Sequence, residues 1–218
     1  MPFVWTDGDK INKPKHLLKG LMGARDIYGQ VKTLGYLQNV RAWAAQKSPT
    51  AQRMLKTIDN SSITIYLVGM DGGFTCFDSD PIPAGTVYFD LNLKLSVNPG
   101  GSTGVHSGFE RLHPYVAFMH EVGHAVQFIE TPNQFMNAAK GPLHGLKSDI
   151  ENAARAYGDR VHGSVAYSKR RNWFSQGPLS GTAWAVRLEY DNMYRHERPI
   201  CLEAGEPLRD HYNDINMT

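Results

Sequence analysis

The segment from Pro114 to Ile129 constrains this chain more than any other. It opens on a proline suited to a first helical turn, contains no further proline and stops at Thr131-Pro132, so it predicts a single helix. Val116, Phe118, Met119, Val122, Ala125, Val126 and Ile129 lie nearly all round that helix, which therefore belongs in a protein core. The same helix carries His120, Glu121 and His124. A carboxylate and two imidazoles in an apolar interior are costly unless something binds them.

The spacing says what that something is. His120-Glu121-Val122-Gly123-His124 is an H-E-x-x-H pattern, and on a helix residues four apart share a face about 5–6 Å apart. Both imidazoles then reach one ion at the bond length of about 2.0–2.1 Å that zinc requires. Glu121 projects beside the ion without having to ligate it. Its carboxylate can take a proton from a water that zinc acidifies and pass it to a leaving amine. A lone buried histidine is usually a satisfied core residue. Two of them with a carboxylate on an apolar helix favour the metal reading.

A catalytic zinc site takes a third protein ligand and keeps one position open. The extended H-E-x-x-H-x-x-G-x-x-H pattern needs Gly at 127 and His at 130, where this chain has Gln127 and Glu130. A Gly-Thr-x-x-Asp carboxylate also fails, because Gly181-Thr182-Ala183-Trp184 is followed by Ala185. A glutamate from a later helix fits better: Glu151 lies in Ser148–Tyr157, a predicted helix with a small-residue face. Asp149 and Glu130 stand behind it, Asp149 beside Ser148 reading more simply as a helix cap. Stabilising an oxyanion needs a further donor, for which Tyr194, Arg195, Tyr157, Tyr167 and His162 are candidates, each with a structural role as the plainer reading. Of the remaining histidines, His16, His196 and His211 lie in polar or terminal contexts that predict solvation, and His106, His113, His144 and His162 flank the motif in loops, candidates for one supporting histidine among which the sequence does not choose.

The rest of the chain predicts an α+β protein. Residues 1–15 read as a polar arm and 16–218 as one domain. Apolar positions recur at spacings of three and four from Leu17 to Gln46, with breaks expected near Gly29 or Gly35, and Ser48-Pro49-Thr50 starts a second helix that runs to Ile58. Ile63–Val68 and Phe74–Phe77, joined through Asp71-Gly72-Gly73, predict an antiparallel hairpin, and Thr86–Leu91 a further strand. Asp149–Tyr157 and Thr182–Glu197 predict later helices, and the tail from Pro199 is broken by proline and glycine.

Composition closes off several classes. With 218 residues, 41% of them hydrophobic, the chain has enough length for a core without disulfide support, and Cys76 and Cys201 are expected to be reduced. It holds no apolar run long enough for a membrane span. A net charge of +2 is far from that of a dedicated nucleic-acid binder, and Lys169-Arg170-Arg171 reads as a solvated loop or a cleft rim. The first residues lack a basic stretch followed by an apolar core, which predicts synthesis in a cytosol without an ordinary signal peptide.

Several separated segments resemble the NleD-type family of zinc metallopeptidases, bacterial effector proteins and toxin domains delivered into other cells. They are Met54–Ile58 with Ile63-Thr64-Ile65, Met119–Ala125 around the paired histidines, Ile150–Gly158, Asp191-Asn192-Met193-Tyr194-Arg195-His196-Glu197, and Gly205–Tyr212. The chain departs from the family pattern by Asp191 in place of Glu and by the insertion of Arg198–Ala204. The resemblance covers about residues 50 to 215. It implies a zincin-like single domain with a small, mostly antiparallel twisted sheet, whose edge strand pairs with extended substrate; Thr86–Leu91 is the strand expected to offer that edge. It also implies a protein or peptide substrate in a target cell and export from a bacterial cytoplasm by a specialised secretion system.

The expected function is thus zinc-dependent peptide-bond hydrolysis, with His120, His124 and Glu151 as ligands and Glu121 as general base and acid. An antibacterial zinc hydrolase acting on peptidoglycan peptides or amides would use the same groups. A binding module with a structural zinc is the non-enzyme alternative; it would need four protein ligands and would leave Glu121 without a role.

Overall fold

The computed structural model describes residues 3–7, 26–70, 75–79, 84–93, 95–97, 110–132, 135, 191–208 and 215–217. In chain order the elements are β1 (Phe3–Trp5), α1 (Gly29–Lys47), α2 (Pro49–Asp59), β2 (Ile65–Gly69), β3 (Cys76–Asp78), β4 (Gly85–Phe89), β5 (Leu95–Val97), β6 (Glu110–Leu112) and α3 (Pro114–Glu130). A π-turn (Met193–Glu197), α4 (Arg198–Ala204) and β7 (Ile215–Met217) follow. The α+β class expected from sequence is what the described residues form.

The main sheet departs from expectation in hand and in order. Its strands run β1-β2-β4-β3, with β1 and β4 both parallel to β2 and only β3 antiparallel to β4. The sheet is therefore mostly parallel, and the strands expected to form a hairpin, β2 and β3, are separated by β4. The reason lies in β4 itself. All five residues of Gly-Thr-Val-Tyr-Phe are buried, a pattern that belongs to a central strand covered on both faces. Gly85 assists, because a Cβ there would sit 2.6 Å from Phe77 Cζ, so the aromatic ring of β3 lies directly over its backbone. A second, antiparallel sheet has the order β6-β5-β7.

The first residues are not simply an arm, since Phe3–Trp5 form the edge strand β1. Asp26 ties that strand to its neighbours. Its Oδ2 accepts from Trp5 Nε1 (2.9 Å), Thr33 Oγ1 (2.8 Å) and Gly69 N (2.8 Å), and its Oδ1 from Tyr28 N and Gly29 N. Helix α1 then starts at Gly29, one of the two positions where a break is expected and where a φ of 76° suits glycine, and it continues unbroken through Gly35, the other. Residues 8–25, where the earlier part of the expected helix falls, lie outside the described residues.

Helix α3 matches its expected span to within a residue and runs through the core. Every residue from Val116 to Phe128 is buried. Phe118 packs edge-on against Phe89 of β4 at 4.9 Å between ring centroids, and Tyr36 of α1 covers both rings. The helix is capped by His113, whose Nδ1 accepts from Tyr115 N.

Of the tail from Pro199, expected to be broken by proline and glycine, Pro199–Ala204 instead lie in α4, with the proline in the first turn where its missing N–H costs nothing. Gly205 ends α4 in the left-handed conformation. The C-terminal end of this short helix is attached at two places. Glu203 accepts from Ser48 Oγ (2.6 Å), Thr50 Oγ1 (2.8 Å) and Thr50 N (3.0 Å) at the start of α2, and Glu206 accepts from His113 N (2.9 Å) at the start of α3. Because α4 continues directly from the π-turn, these bonds fix the π-turn against α3. No described helix is long and apolar enough to cross a membrane. Neither Cys76 nor Cys201 is in a disulfide.

Candidate metal centre

Helix α3 places His120 and His124 one turn apart with ring centroids at 4.9 Å and planes nearly perpendicular. Neither residue of the pair, nor Glu121 between them, is more than 8% exposed. Each ring is engaged at Nδ1. His120 Nδ1 lies 2.6 Å from Glu197 Oε2, and His124 Nδ1 lies 2.9 Å from Gln127 Oε1. Gln127 in turn donates through Nε2 to Asp191 Oδ2 at 2.8 Å. A histidine held at Nδ1 by an acceptor presents Nε2 as the basic nitrogen, the arrangement that metal-binding histidines use.

Glu121 is reached from the sheet. Thr75, just before β3, donates from Oγ1 to Glu121 Oε1 at 3.0 Å. Cys76, the next residue, feels the same carboxylate: burial first, then the charges of Glu121 and Asp78, push its thiol far above the usual range. A thiol held protonated in this way is a poor nucleophile.

The described side chains therefore fit part of a metal site: two adjacent buried imidazoles, both oriented by outer partners, with a carboxylate beside them. Among the described residues no group of three or more His, Cys, Asp or Glu side chains is arranged to hold an ion. Glu151 and Asp149, the expected third ligand and its alternate, lie outside the described residues, as do Tyr157, His162 and Tyr167. Glu130, the other alternate, has a half-exposed carboxylate 2.9 Å from Arg195 Nη2.

Arg195 and Tyr194, the candidates for transition-state support, sit on the π-turn. Arg195 bridges Glu130 and Asp191 at the surface. Tyr194 is buried, with the Arg198 guanidinium 5.5 Å from its ring centroid. The edge strand also differs from expectation. Thr86–Leu91 overlaps β4, which is interior, and the edge beside α3 is β3.

Sequence reading passed over Gln127, Asn192 and Glu197. Asn192 Nδ2 donates to the His120 carbonyl at 2.8 Å, and its side chain fills the space above Gly123, where a Cβ would run into Asn192 Oδ1. The only available signal was the resemblance of the Asp191–Glu197 stretch itself.

His196 is a correction. Its polar neighbours in sequence predict solvation, but it is 6% exposed, and its Nε2 is buried without a hydrogen-bond partner among the described residues. Burial, then the Arg195 guanidinium, with His124 and His120 adding, lower its pKa to about 4, while Asp191 opposes the shift. The unfolded chain, with a histidine pKa of about 6.5, then takes this proton first as pH falls. Stability of the metal-free protein should decline from about pH 6.5 to about pH 4. Melting temperatures of wild type and His196→Gln across that range check this: the variant should show the shallower decline, and equal slopes would exclude His196 as a source.

No family model, no curated protein and no solved structure matches this chain.

Proposed function

We propose that the chain is a zinc-dependent endopeptidase in which His120 and His124 hold the metal and Glu121 moves the proton. The observation that carries this reading is the H-E-x-x-H pattern on a buried helix, with both rings held at Nδ1 and the glutamate anchored by Thr75. When bound, zinc supplies Lewis acidity, making a water nucleophilic near neutral pH and polarising the scissile carbonyl. Glu121 takes the proton from the attacking water and delivers it to the departing nitrogen. The Thr75 hydroxyl keeps that carboxylate turned toward the site. Burial of all three groups lowers the local dielectric and strengthens their interactions with a developing charge.

Strand β3 supports an extended substrate. It is one of the two outer strands of the sheet, it lies against α3, and Thr75 just before it touches the proposed general base. Main-chain pairing with a peptide there would be strand addition, which binds substrate with little demand on sequence. Glu151 is the proposed third ligand. The resemblance to the NleD-type family supports delivery into a target cell, with a protein or peptide as substrate.

Zinc removal tests the reading. The purified protein should contain one zinc per chain and cut denatured protein or a peptide library, with products read by mass spectrometry. Chelation should abolish cleavage and added zinc restore it. Cleavage indifferent to chelation, or no cleavage by zinc-loaded protein, would sink the assignment. Glu151→Ala should lower zinc stoichiometry by elemental analysis; full occupancy would move the third ligand elsewhere.

A further inference from the structure

Both imidazoles of the motif are approached by one short segment, and that segment is not regular α-helix. In an α-helix, residues five apart point about 140° away from each other, whereas i→i+5 bonding in a π-turn brings them back onto one face. Here the pair five apart is Asn192 and Glu197, flanking and closing the π-turn, and both end on His120. Asn192 takes the His120 carbonyl at 2.8 Å, and Glu197 takes the His120 ring at 2.6 Å. A regular helix would keep one contact and lose the other.

Donor and acceptor chemistry then places the protons. An ionised carboxylate only accepts, so the bond to Glu197 requires hydrogen on His120 Nδ1. At His124 the partner is an amide, which could face either way. Gln127 Nε2 points at Asp191 Oδ2, another acceptor, so Gln127 Oε1 is the atom turned toward His124 Nδ1, which must also carry hydrogen. Both rings are thereby left with their lone pair on Nε2.

We propose that Asp191–Glu197 is a positioning element that sets the tautomer and orientation of both metal-binding imidazoles. Glu197 acts on His120 directly, Asp191 acts on His124 through Gln127, and Asn192 tethers the π-turn to the helix. The metal part of this role rests on the metallopeptidase reading; the tautomers do not. The element is itself held in place through α4, by Glu203 on the start of α2 and Glu206 on the start of α3.

Long-range nitrogen–proton NMR of the metal-free, full-length protein reads the tautomers, and chelator competition reads zinc affinity. In the wild type both His120 and His124 should carry hydrogen on Nδ1. Glu197→Gln should mix the tautomers of His120, Asp191→Ala should mix those of His124, and each should weaken zinc binding by about 10–100-fold with stoichiometry kept at one. Hydrogen on Nε2 of either ring in the wild type would overturn the proposal, a measurement that needs no variant to fold. So would an affinity loss smaller than that range, or complete loss of zinc from Glu197→Gln, which would make Glu197 a ligand. Wild-type protein with both Nδ1–H tautomers that binds no zinc would instead overturn the metallopeptidase reading, along with the metal part of this role.

Discussion

Glu121→Gln should lower the rate of peptide cleavage by about 10²–10⁴-fold, the range that a positioned general base contributes, while leaving zinc content and folding unchanged. The substitution keeps the volume of the side chain and an oxygen to accept from Thr75 Oγ1, so the packing of α3 against the start of β3 survives. What it removes is the capacity to take up and return a proton. The loss should appear in kcat rather than KM, because Glu121 is assigned to the reaction step and not to holding the peptide. Cleavage at the wild-type rate by the variant would sink the role of Glu121. Parallel loss of zinc would show instead that the carboxylate is a ligand. Thr75→Val offers a graded comparison: it leaves the base in place but removes the hydroxyl that orients it, and should slow cleavage less than Glu121→Gln does.

What could be read from sequence divides along a physical line. Helix α3 was legible because its signals are local: a proline in the first turn, unbroken apolar periodicity, a stop at Thr131-Pro132 and two histidines four apart. Helix α2 was legible for the same reason, since Ser48 caps it and Pro49 opens it. The order of the sheet was not. Alternation in Ile63–Val68 and Phe74–Phe77 identifies strands but says nothing about neighbours, and β4 lies between β2 and β3, buried along its whole length as a central strand covered on both sides is.

The outer partners of the site were hidden for a related reason. Asp191, Asn192, His196 and Glu197 look like the polar face of an ordinary helix when only sequence neighbours are considered. Asn192, His196 and Glu197 are buried where the π-turn packs on α3, bonded to His120 by Asn192 and Glu197, and α4, which continues the π-turn, is held on the start of α2 by bonds between Glu203 and residues 155 and 153 positions away. Periodicity arguments assume 3.6 residues per turn, so a five-residue pairing on one face escapes them. The motif thus identified the inner groups of the candidate site, and tertiary packing alone identified the groups that orient them.

Gly123→Ala is the sharpest test of that packing, because local and tertiary physics predict opposite signs. In an isolated helix the change should stabilise by about 1 kcal/mol, since alanine is the better helix former. In this fold the new methyl meets Asn192 Oδ1, whose amide nitrogen is committed to the His120 carbonyl and whose residue is fully buried. Asn192 can give way only by pulling the π-turn, and Glu197 with it, away from His120. Overpacking of this kind costs about 1–3 kcal/mol, so the net effect should be destabilising, accompanied by weaker zinc binding. Urea unfolding of wild type, Gly123→Ala, Asn192→Ala and the double variant resolves the coupling. Asn192→Ala loses the hydrogen bond but relieves the collision, so the double variant should be more stable than the sum of the single losses predicts. A Gly123→Ala protein as stable as the wild type, or simple additivity across the four proteins, would show that Asn192 does not press on α3 and that the π-turn is not locked to the helix at this point.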